Sequence, residues 1–251
     1  MTDFVTFELD ETGIGTITFF DPQSNSLPGQ TLKQLASVIT DAGENPEVKV
    51  IVLKSKGDKA FCAGASFDEL ASITDAETGM IFFSGFADVI NAMRKAPKFI
   101  LARVQGKAVG GGVGLACAAD YALATENASV KLSELAVGIG PFVVGPAVER
   151  KVGFSAFSTM TINATQWQTA RWAKEKGIYS ELYPDLIALD DGLNKLAVTL
   201  SSSNPEAMRM LKGIFWEGTD NWDKLLVERA GMSGKLVLSS FTKNAIEKFK
   251  K

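Results

Sequence analysis

The chain has 251 residues, 46% of them hydrophobic and 22% charged, which is typical of a soluble globular protein with a sizeable core. Its net charge of −3 offers no attraction to nucleic acid or to an anionic membrane, so we expect neither as a partner. We find no secretion signal and no apolar run of membrane-spanning length, and two cysteines are too few for a disulfide framework. These features predict a cytoplasmic protein.

The sequence contains no histidine. This absence excludes Ser-His-Asp and Cys-His nucleophile systems as well as histidine-ligated zinc. Any acid–base chemistry must therefore use Asp, Glu, Tyr, Lys or Cys side chains.

Strand and helix patterns alternate along most of the chain. Residues 4–8 and 15–20 predict a hairpin, 29–43 an amphipathic helix, and 48–55 a β-branched strand buried on both faces. A helix over 76–95, a strand over 99–106 and a strand within 120–128 follow. From residue 170 onward the chain is predicted helical, with breaks at residues 183–186 and 202–207. We therefore predict an α/β core over residues 1–189 and a helical region over 190–251.

The segment AVGGGVGLACAAD, residues 108–120, places three glycines between a predicted strand and a predicted helix. A phosphate-binding role fails on spacing, because the sixth position of G-x-G-x-x-G counted from Gly110 is Leu115, and no G-K-[ST] follows. Two interpretations remain: close packing of the backbone, or a bare N–H group that another molecule's oxygen can approach.

A second loop of small residues has the same character. FCAGASFDEL, residues 61–70, follows the strand over 48–55 and contains Ala63, Gly64 and Ala65 before a possible short helix. Two unhindered backbone N–H groups from two such loops could together stabilise a developing oxyanion.

The motifs KAFCAGASFDEL, GKAVGGGVGLACAADYALATENA and LSELAVGIGPF, at these separations, resemble the enoyl-CoA hydratase/isomerase (crotonase) superfamily. The resemblance implies an α/β fold, a crotonase-like spiral of ββα turns with a C-terminal helical trimerisation region. It also implies an acyl-CoA thioester substrate, no cofactor beyond the coenzyme A of that substrate, and a homotrimer or dimer of trimers.

The same resemblance assigns the site residues. The N–H groups of Ala65 and Gly111 would stabilise the thioester enolate. The residues expected to line the groove for adenine and pantetheine are Ala63, Ala65, Ser66, Phe67 and Asp68.

Hydratases of the superfamily have two glutamates, and this chain has one of them. The first position is Gly114, whereas the second is Glu134, the only carboxylate between residues 130 and 148. Burial among apolar residues would raise the pKa of Glu134 towards that of a general base. The alternative is that Glu134 has no catalytic role and only caps a short helix after Ser133 or lies on its surface.

A site with a single carboxylate suits isomerisation of a double bond better than addition of water to it. We therefore predict Δ3,Δ2 isomerisation of an enoyl-CoA with Glu134 as the base, and Phe142 at the place of the catalytic water. A hydratase and a non-catalytic acyl-CoA-binding protein remain the alternatives. Asp120 and the two cysteines are interpreted as structural, with Cys62 an outside candidate for a reactive thiol.

Overall fold

In a computed structural model, which describes residues 5–249, strands and helices alternate over the first half and helices dominate the second. The strands are β1 (Val5–Leu9), β2 (Ile14–Phe19), β3 (Val50–Ser55), β4 (Ala60–Cys62), β5 (Phe99–Val104), β6 (Lys107–Val109), β7 (Tyr121–Thr125), β8 (Ser129–Lys131), β9 (Gln168–Thr169) and β10 (Glu181–Tyr183). The helices are α1 (Gly29–Glu44), α2 (Phe67–Ser72), α3 (Ala76–Lys95), α4 (Gly111–Ala118), α5 (Gly145–Ile162), α6 (Ala170–Glu175), α7 (Leu186–Ser201), α8 (Pro205–Phe215), α9 (Trp222–Leu236) and α10 (Ser240–Phe249).

A six-stranded sheet in the order β1-β2-β3-β5-β7-β10 forms one layer, in which β1 and β2 are antiparallel and the other neighbouring strands are parallel. The predicted hairpin is confirmed over the described residues. The β-branched run is also confirmed as a strand buried on both faces: Ile51 and Leu53 lie in the main core, whereas Val50 and Val52 pack in a second cluster with Leu189 of α7.

The prediction of helix between residue 170 and the break at residues 183–186 was wrong at the short strand β10, which begins just before that break, and another short strand, β9, leads into α6. β10 pairs in parallel with β7, and its Glu181 accepts a hydrogen bond of 2.6 Å from the Tyr121 hydroxyl. Three residues are too few to show a period of two, so this edge strand is defined by its tertiary pairing.

A second, four-stranded sheet has the order β4-β6-β8-β9, with β4, β6 and β8 parallel. Because parallel strands end at the same edge of a sheet, the segments that follow these three strands meet. They are the loop containing Ala65, the start of α4 at Gly111, and the turn containing Glu134. The sequence analysis placed the three glycines directly after the strand predicted over residues 99–106. In the structure a separate strand, β6, lies between that strand and the glycines.

The C-terminal helices return to the core. α7 covers one face of the six-stranded sheet, and α9 crosses α3 where Gly79 and Gly234 meet: a Cβ added to Gly79 would lie 2.8 Å from the Gly234 Cα. The division predicted at residue 190 falls inside α7 and stays a prediction. Within residues 5–249, no helix combines the length and apolar character needed to cross a bilayer.

Asp120 is a structural residue at the far end of α4 from Gly111. Its carboxylate accepts hydrogen bonds from the Lys212 ammonium at 2.6 Å, the Ile100 N–H at 2.8 Å and the Trp216 indole N–H at 3.1 Å. The side chains of Asp120 and Lys212 are only 6% and 3% exposed. This buried ion pair joins α8 to the core.

Candidate active site

A cavity of about 80 Å³ lies where the segments after β4, β6 and β8 meet. Its walls are mostly apolar, and its polar side chains are Glu134, Ser133 and Ser233. The residues that line it are Ala63, Gly64, Ala65, Phe67, Leu70, Phe83, Phe86, Val109, Gly110, Gly111, Ser133, Glu134, Val137, Ile139, Gly140, Val143, Val144 and Ser233.

The Ala65 N–H is presented by an extended loop. Around Ala65, the Gly64 carbonyl accepts from the Leu27 N–H at 2.8 Å, and the Ser66 N–H donates to the Leu27 carbonyl at 3.4 Å. This bridge uses the peptide groups on both sides of Ala65 and leaves the Ala65 N–H without a backbone acceptor among the described residues. Gly64 has φ +89° and lies against the second loop, since a Cβ there would be 3.5 Å from the Gly111 nitrogen.

The Gly111 N–H is the first of helix α4. Gly110 precedes it with φ 51° and ψ −112°, and the Gly110 N–H donates to the Lys131 carbonyl at 2.9 Å, which ties this turn to β8. The first N–H groups of a helix have no intrahelical acceptor, and the helix dipole favours negative charge there. The Ala65 and Gly111 N–H groups therefore border one cavity from two adjacent loops.

Close packing also requires the glycines of the triplet. A Cβ on Gly111 would lie 2.1 Å from the Phe86 ring, and a Cβ on Gly112 would lie 2.4 Å from the Cys62 carbonyl oxygen. The two interpretations left open by the sequence are thus compatible, because the missing side chains allow both the packing and an accessible N–H.

Glu134 begins a 3₁₀ turn, Glu134–Val137, that Gly138 ends in a left-handed conformation. Its carboxylate lies against the glycine turn, since a Cβ on Gly110 would be 2.9 Å from Glu134 Oε1. The Oε2 atom is buried and has no hydrogen-bond partner among the described residues. Burial raises the pKa of Glu134 to about 7, the range in which a carboxylate is an effective general base near neutral pH.

Val144 occupies the space beside Gly114, the position of the missing first glutamate. A Cβ on Gly114 would lie 2.6 Å from Val144 Cγ1 and 2.8 Å from Val144 Cβ. Both residues are buried, and Val144 lines the cavity. Residue 114 thus has no carboxylate, and the apolar side chain of Val144 fills the space that a side chain there would need.

The contact between Gly114 and Val144 predicts how two variants change the free energy of unfolding. Gly114→Ala should lower the free energy of unfolding, because overpacking costs about 1–3 kcal/mol and the helix propensity of alanine returns at most about 1 kcal/mol. In Gly114→Ala/Val144→Ala the loss should be smaller than the sum of the two single losses, as measured by urea unfolding. Additive losses would contradict the contact.

Not every residue assigned by resemblance lines the cavity. Ala63, Ala65, Phe67, Gly111 and Glu134 do. Ser66, Asp68 and Phe142 do not. The Ser66 hydroxyl accepts from the Glu69 N–H as the N-cap of α2, and the Asp68 carboxylate accepts from the Gln23 side-chain amide at 2.9 Å.

Phe142 was expected at the place of the catalytic water, but its ring packs over Gly140, and Val143 and Val144 line the cavity instead. The extra bulk beside the carboxylate thus comes from the residues after Phe142. No period or motif in the sequence indicated that these two valines, rather than the aromatic ring, face the cavity.

Cys62 is fully buried, and burial raises the pKa of its thiol to about 12. Burial has the same effect on Cys117, whose pKa is also raised to about 12. A thiolate is the nucleophilic form of cysteine, so neither residue is activated for reaction. The structural interpretation of both cysteines agrees with this burial.

The chain belongs to the enoyl-CoA hydratase/isomerase family, whose model matches residues 10–248. It is thus an enzyme of the crotonase superfamily, whose members act on acyl-CoA thioesters, and the resemblance seen in its motifs is confirmed.

Individual relatives are distant in sequence. The chain is 28% identical to the enoyl-CoA hydratase/isomerase YngF of Bacillus subtilis, over 84% of this chain and 81% of that one. It is 30% identical to the carnitinyl-CoA dehydratase of Citrobacter koseri, over 79% and 75%.

Solved structures agree with the fold. An enoyl-CoA hydratase from Bacillus halodurans superposes with a TM-score of 0.89 at 19% identity, covering 98% of this chain and all of that one. One from Mycobacterium smegmatis superposes with a TM-score of 0.81 at 27% identity, covering 94% and 91%. The α/β fold with a C-terminal helical region is therefore that of the crotonase superfamily.

Proposed function

We propose that this protein isomerises a 3-enoyl-CoA to the 2-enoyl-CoA, with Glu134 as the only base. The observation that supports this proposal best is that Glu134 is the one carboxylate on the cavity wall among the described residues, while Val144 packs against Gly114. Hydration requires activation of water as well as transfer of a proton to carbon. Isomerisation requires one group that removes a proton from one carbon and returns it to another.

The proposed steps balance with one carboxylate. Glu134 takes the proton from C2, and the electron pair of that C–H bond moves to the thioester oxygen to give a dienolate. The N–H groups of Ala65 and Gly111 donate to this oxygen, and one such donor is worth about 3 kcal/mol in a transition state. The protonated Glu134 then returns the proton to C4, the C2=C3 bond forms, and the carboxylate is restored without a further cofactor.

Burial of the Glu134 carboxylate fits both halves of this cycle. A carboxyl group with a pKa of about 7 is a stronger base than an exposed glutamate and still releases its proton to carbon. The buried Oε2 has no partner within residues 5–249 that would hold it in one ionisation state.

Incubation with 3-hexenoyl-CoA should produce 2-hexenoyl-CoA, followed by its ultraviolet absorbance. The rate should rise with pH to a plateau, with a midpoint of about 7 in kcat/KM, because only the ionised Glu134 can accept the C2 proton. The profile should have a single ionisation below pH 8.

Two results would contradict the proposal. Hydration of 2-hexenoyl-CoA faster than isomerisation of 3-hexenoyl-CoA would identify a hydratase. Binding of acyl-CoA without exchange of the C2 proton in deuterated water would identify a non-catalytic binding protein.

We also propose that the chain assembles as a homotrimer or a dimer of trimers through its helical C-terminal region. Exposed apolar side chains on α8 and α9 support this, since large apolar patches mark interaction surfaces: Met210, Leu211, Ile214, Phe215, Val227, Met232 and Leu236. Trp216 and Trp222, in the same region, are buried in their own chain and pack edge to face with ring centroids 5.8 Å apart.

A further inference from the structure

Helix α9 contributes a hydroxyl group to the wall of the cavity. Ser233 is 1% exposed and lines the cavity, and its Oγ has no hydrogen-bond partner among residues 5–249. Several other helical hydroxyls in this chain bond to a carbonyl of the preceding turn, as Thr199 Oγ1 does to the Lys195 carbonyl at 2.8 Å. Because Ser233 borders the cavity, a polar group bound there is an available partner for its hydroxyl.

Helix α3 relates the position of Ser233 to that of the Gly111 N–H. The ring of Phe86, on α3, lies at the Cβ position that Gly111 lacks, and Gly79, seven residues earlier on α3, meets Gly234 beside Ser233. Seven residues of helix correspond to about 10 Å. Because the contacts with Gly111 and Gly234 are made by different residues along α3, we take part of the acyl chain to separate a group bound at Ser233 from the thioester oxygen bound at Gly111.

The remaining wall near Ser233 is apolar. Leu70 and Phe83 line it, and Val137 belongs to the same buried cluster as Val237, just after α9. A plain hydrocarbon chain would satisfy these side chains and leave the Ser233 hydroxyl unpaired. An oxygen on the distal part of the chain would pair with it. In the described part of the protein no cation stands on the cavity wall, which argues for a neutral group over a carboxylate.

We infer that Ser233 is a specificity residue for acyl-CoA substrates whose acyl chain has a hydroxyl group on a distal carbon, C4 to C6. This inference rests on the proposed function, because it takes the cavity to hold the acyl chain with its thioester at Ala65 and Gly111. The close contact of Gly79 and Gly234 explains why the neighbouring residue is small. It does not explain a hydroxyl, since alanine would pack equally well.

The test measures equilibrium binding of saturated acyl-CoAs, which bind without turnover. Butyryl-, pentanoyl- and hexanoyl-CoA are compared with their terminally hydroxylated counterparts by isothermal titration calorimetry, using wild type, Ser233→Ala and Ser133→Ala. Wild type should bind at least one hydroxylated member about tenfold more tightly than its parent, the factor that one buried hydrogen bond contributes. Ser233→Ala should abolish this preference, and Ser133→Ala, which removes the hydroxyl beside Glu134, should retain it.

The outcomes separate the inference from the proposed function. A wild type without preference at any length, a preference that survives in Ser233→Ala, or one that is lost only in Ser133→Ala would overturn the inference. Failure of all six acyl-CoAs to bind would overturn the proposed function as well. Equal melting temperatures of the variants would show that each comparison is between folded proteins.

Discussion

Glu134→Gln is expected to lower kcat for 3-hexenoyl-CoA isomerisation by about 10²- to 10⁴-fold, the contribution of a positioned general base. Glutamine keeps the size of the side chain but cannot accept the C2 proton. Because the Ala65 and Gly111 N–H groups are unchanged, the dissociation constant of hexanoyl-CoA should change little. Stopped-flow absorbance gives the rate, and calorimetry gives the dissociation constant.

The stability of Glu134→Gln provides the control. Burial raises the folded-state pKa of Glu134 from 4.5 to about 7. The folded protein therefore keeps its full stability below pH 4.5, where the carboxyl group is neutral, and loses stability as the pH rises through 7 and the buried group ionises. The variant should therefore unfold at higher urea concentration than wild type at pH 8, and this advantage should shrink at pH 5. A variant that keeps the wild-type rate would remove Glu134 from the mechanism.

Asp120→Asn is expected to lower the free energy of unfolding by about 3–5 kcal/mol, the cost of leaving a buried charge without its partner. The Lys212 ammonium is 2.6 Å from Asp120, and its side chain is 3% exposed. Burial already lowers the pKa of Lys212, and without the carboxylate this lysine must either stay charged and unpaired or lose its proton. Urea unfolding at pH 7 measures the loss.

A matched variant distinguishes a buried ion pair from simple packing. Asp120→Asn/Lys212→Met removes both charges, so its stability should lie above that of Asp120→Asn. Because Asp120 lies at the end of α4 away from Gly111, the kcat of folded Asp120→Asn should equal that of wild type. A double variant less stable than the single one, or a loss of kcat, would contradict the structural role.

The sequence predicted those parts of the candidate site that depend on short segments of the chain. The sequence shows three such features: three consecutive glycines before a helix, a second loop of small residues, and a lone carboxylate in an apolar run. Each follows a strand of the same small sheet, so their convergence needed only parallel strands. The absence of histidine limited the acid–base chemistry to a few side-chain types through composition alone.

Contacts between distant segments could not be predicted in the same way. Ser233 lies about a hundred residues after Glu134 and reaches the cavity only because Gly79 and Gly234 let α3 and α9 approach closely. The sequence of α9 gives no sign of which residue will face that cavity.

The sequence by itself determined the superfamily, the two loops of small residues and the single carboxylate, because these depend on residue types within short segments. The tertiary structure decided that Val144 fills the space beside Gly114, that Phe142 turns away to Gly140, and that β10 completes the sheet. The contact of Val144 with Gly114 and the pairing of β10 with β7 join residues that are distant in the sequence, so no local pattern of residue types indicates them.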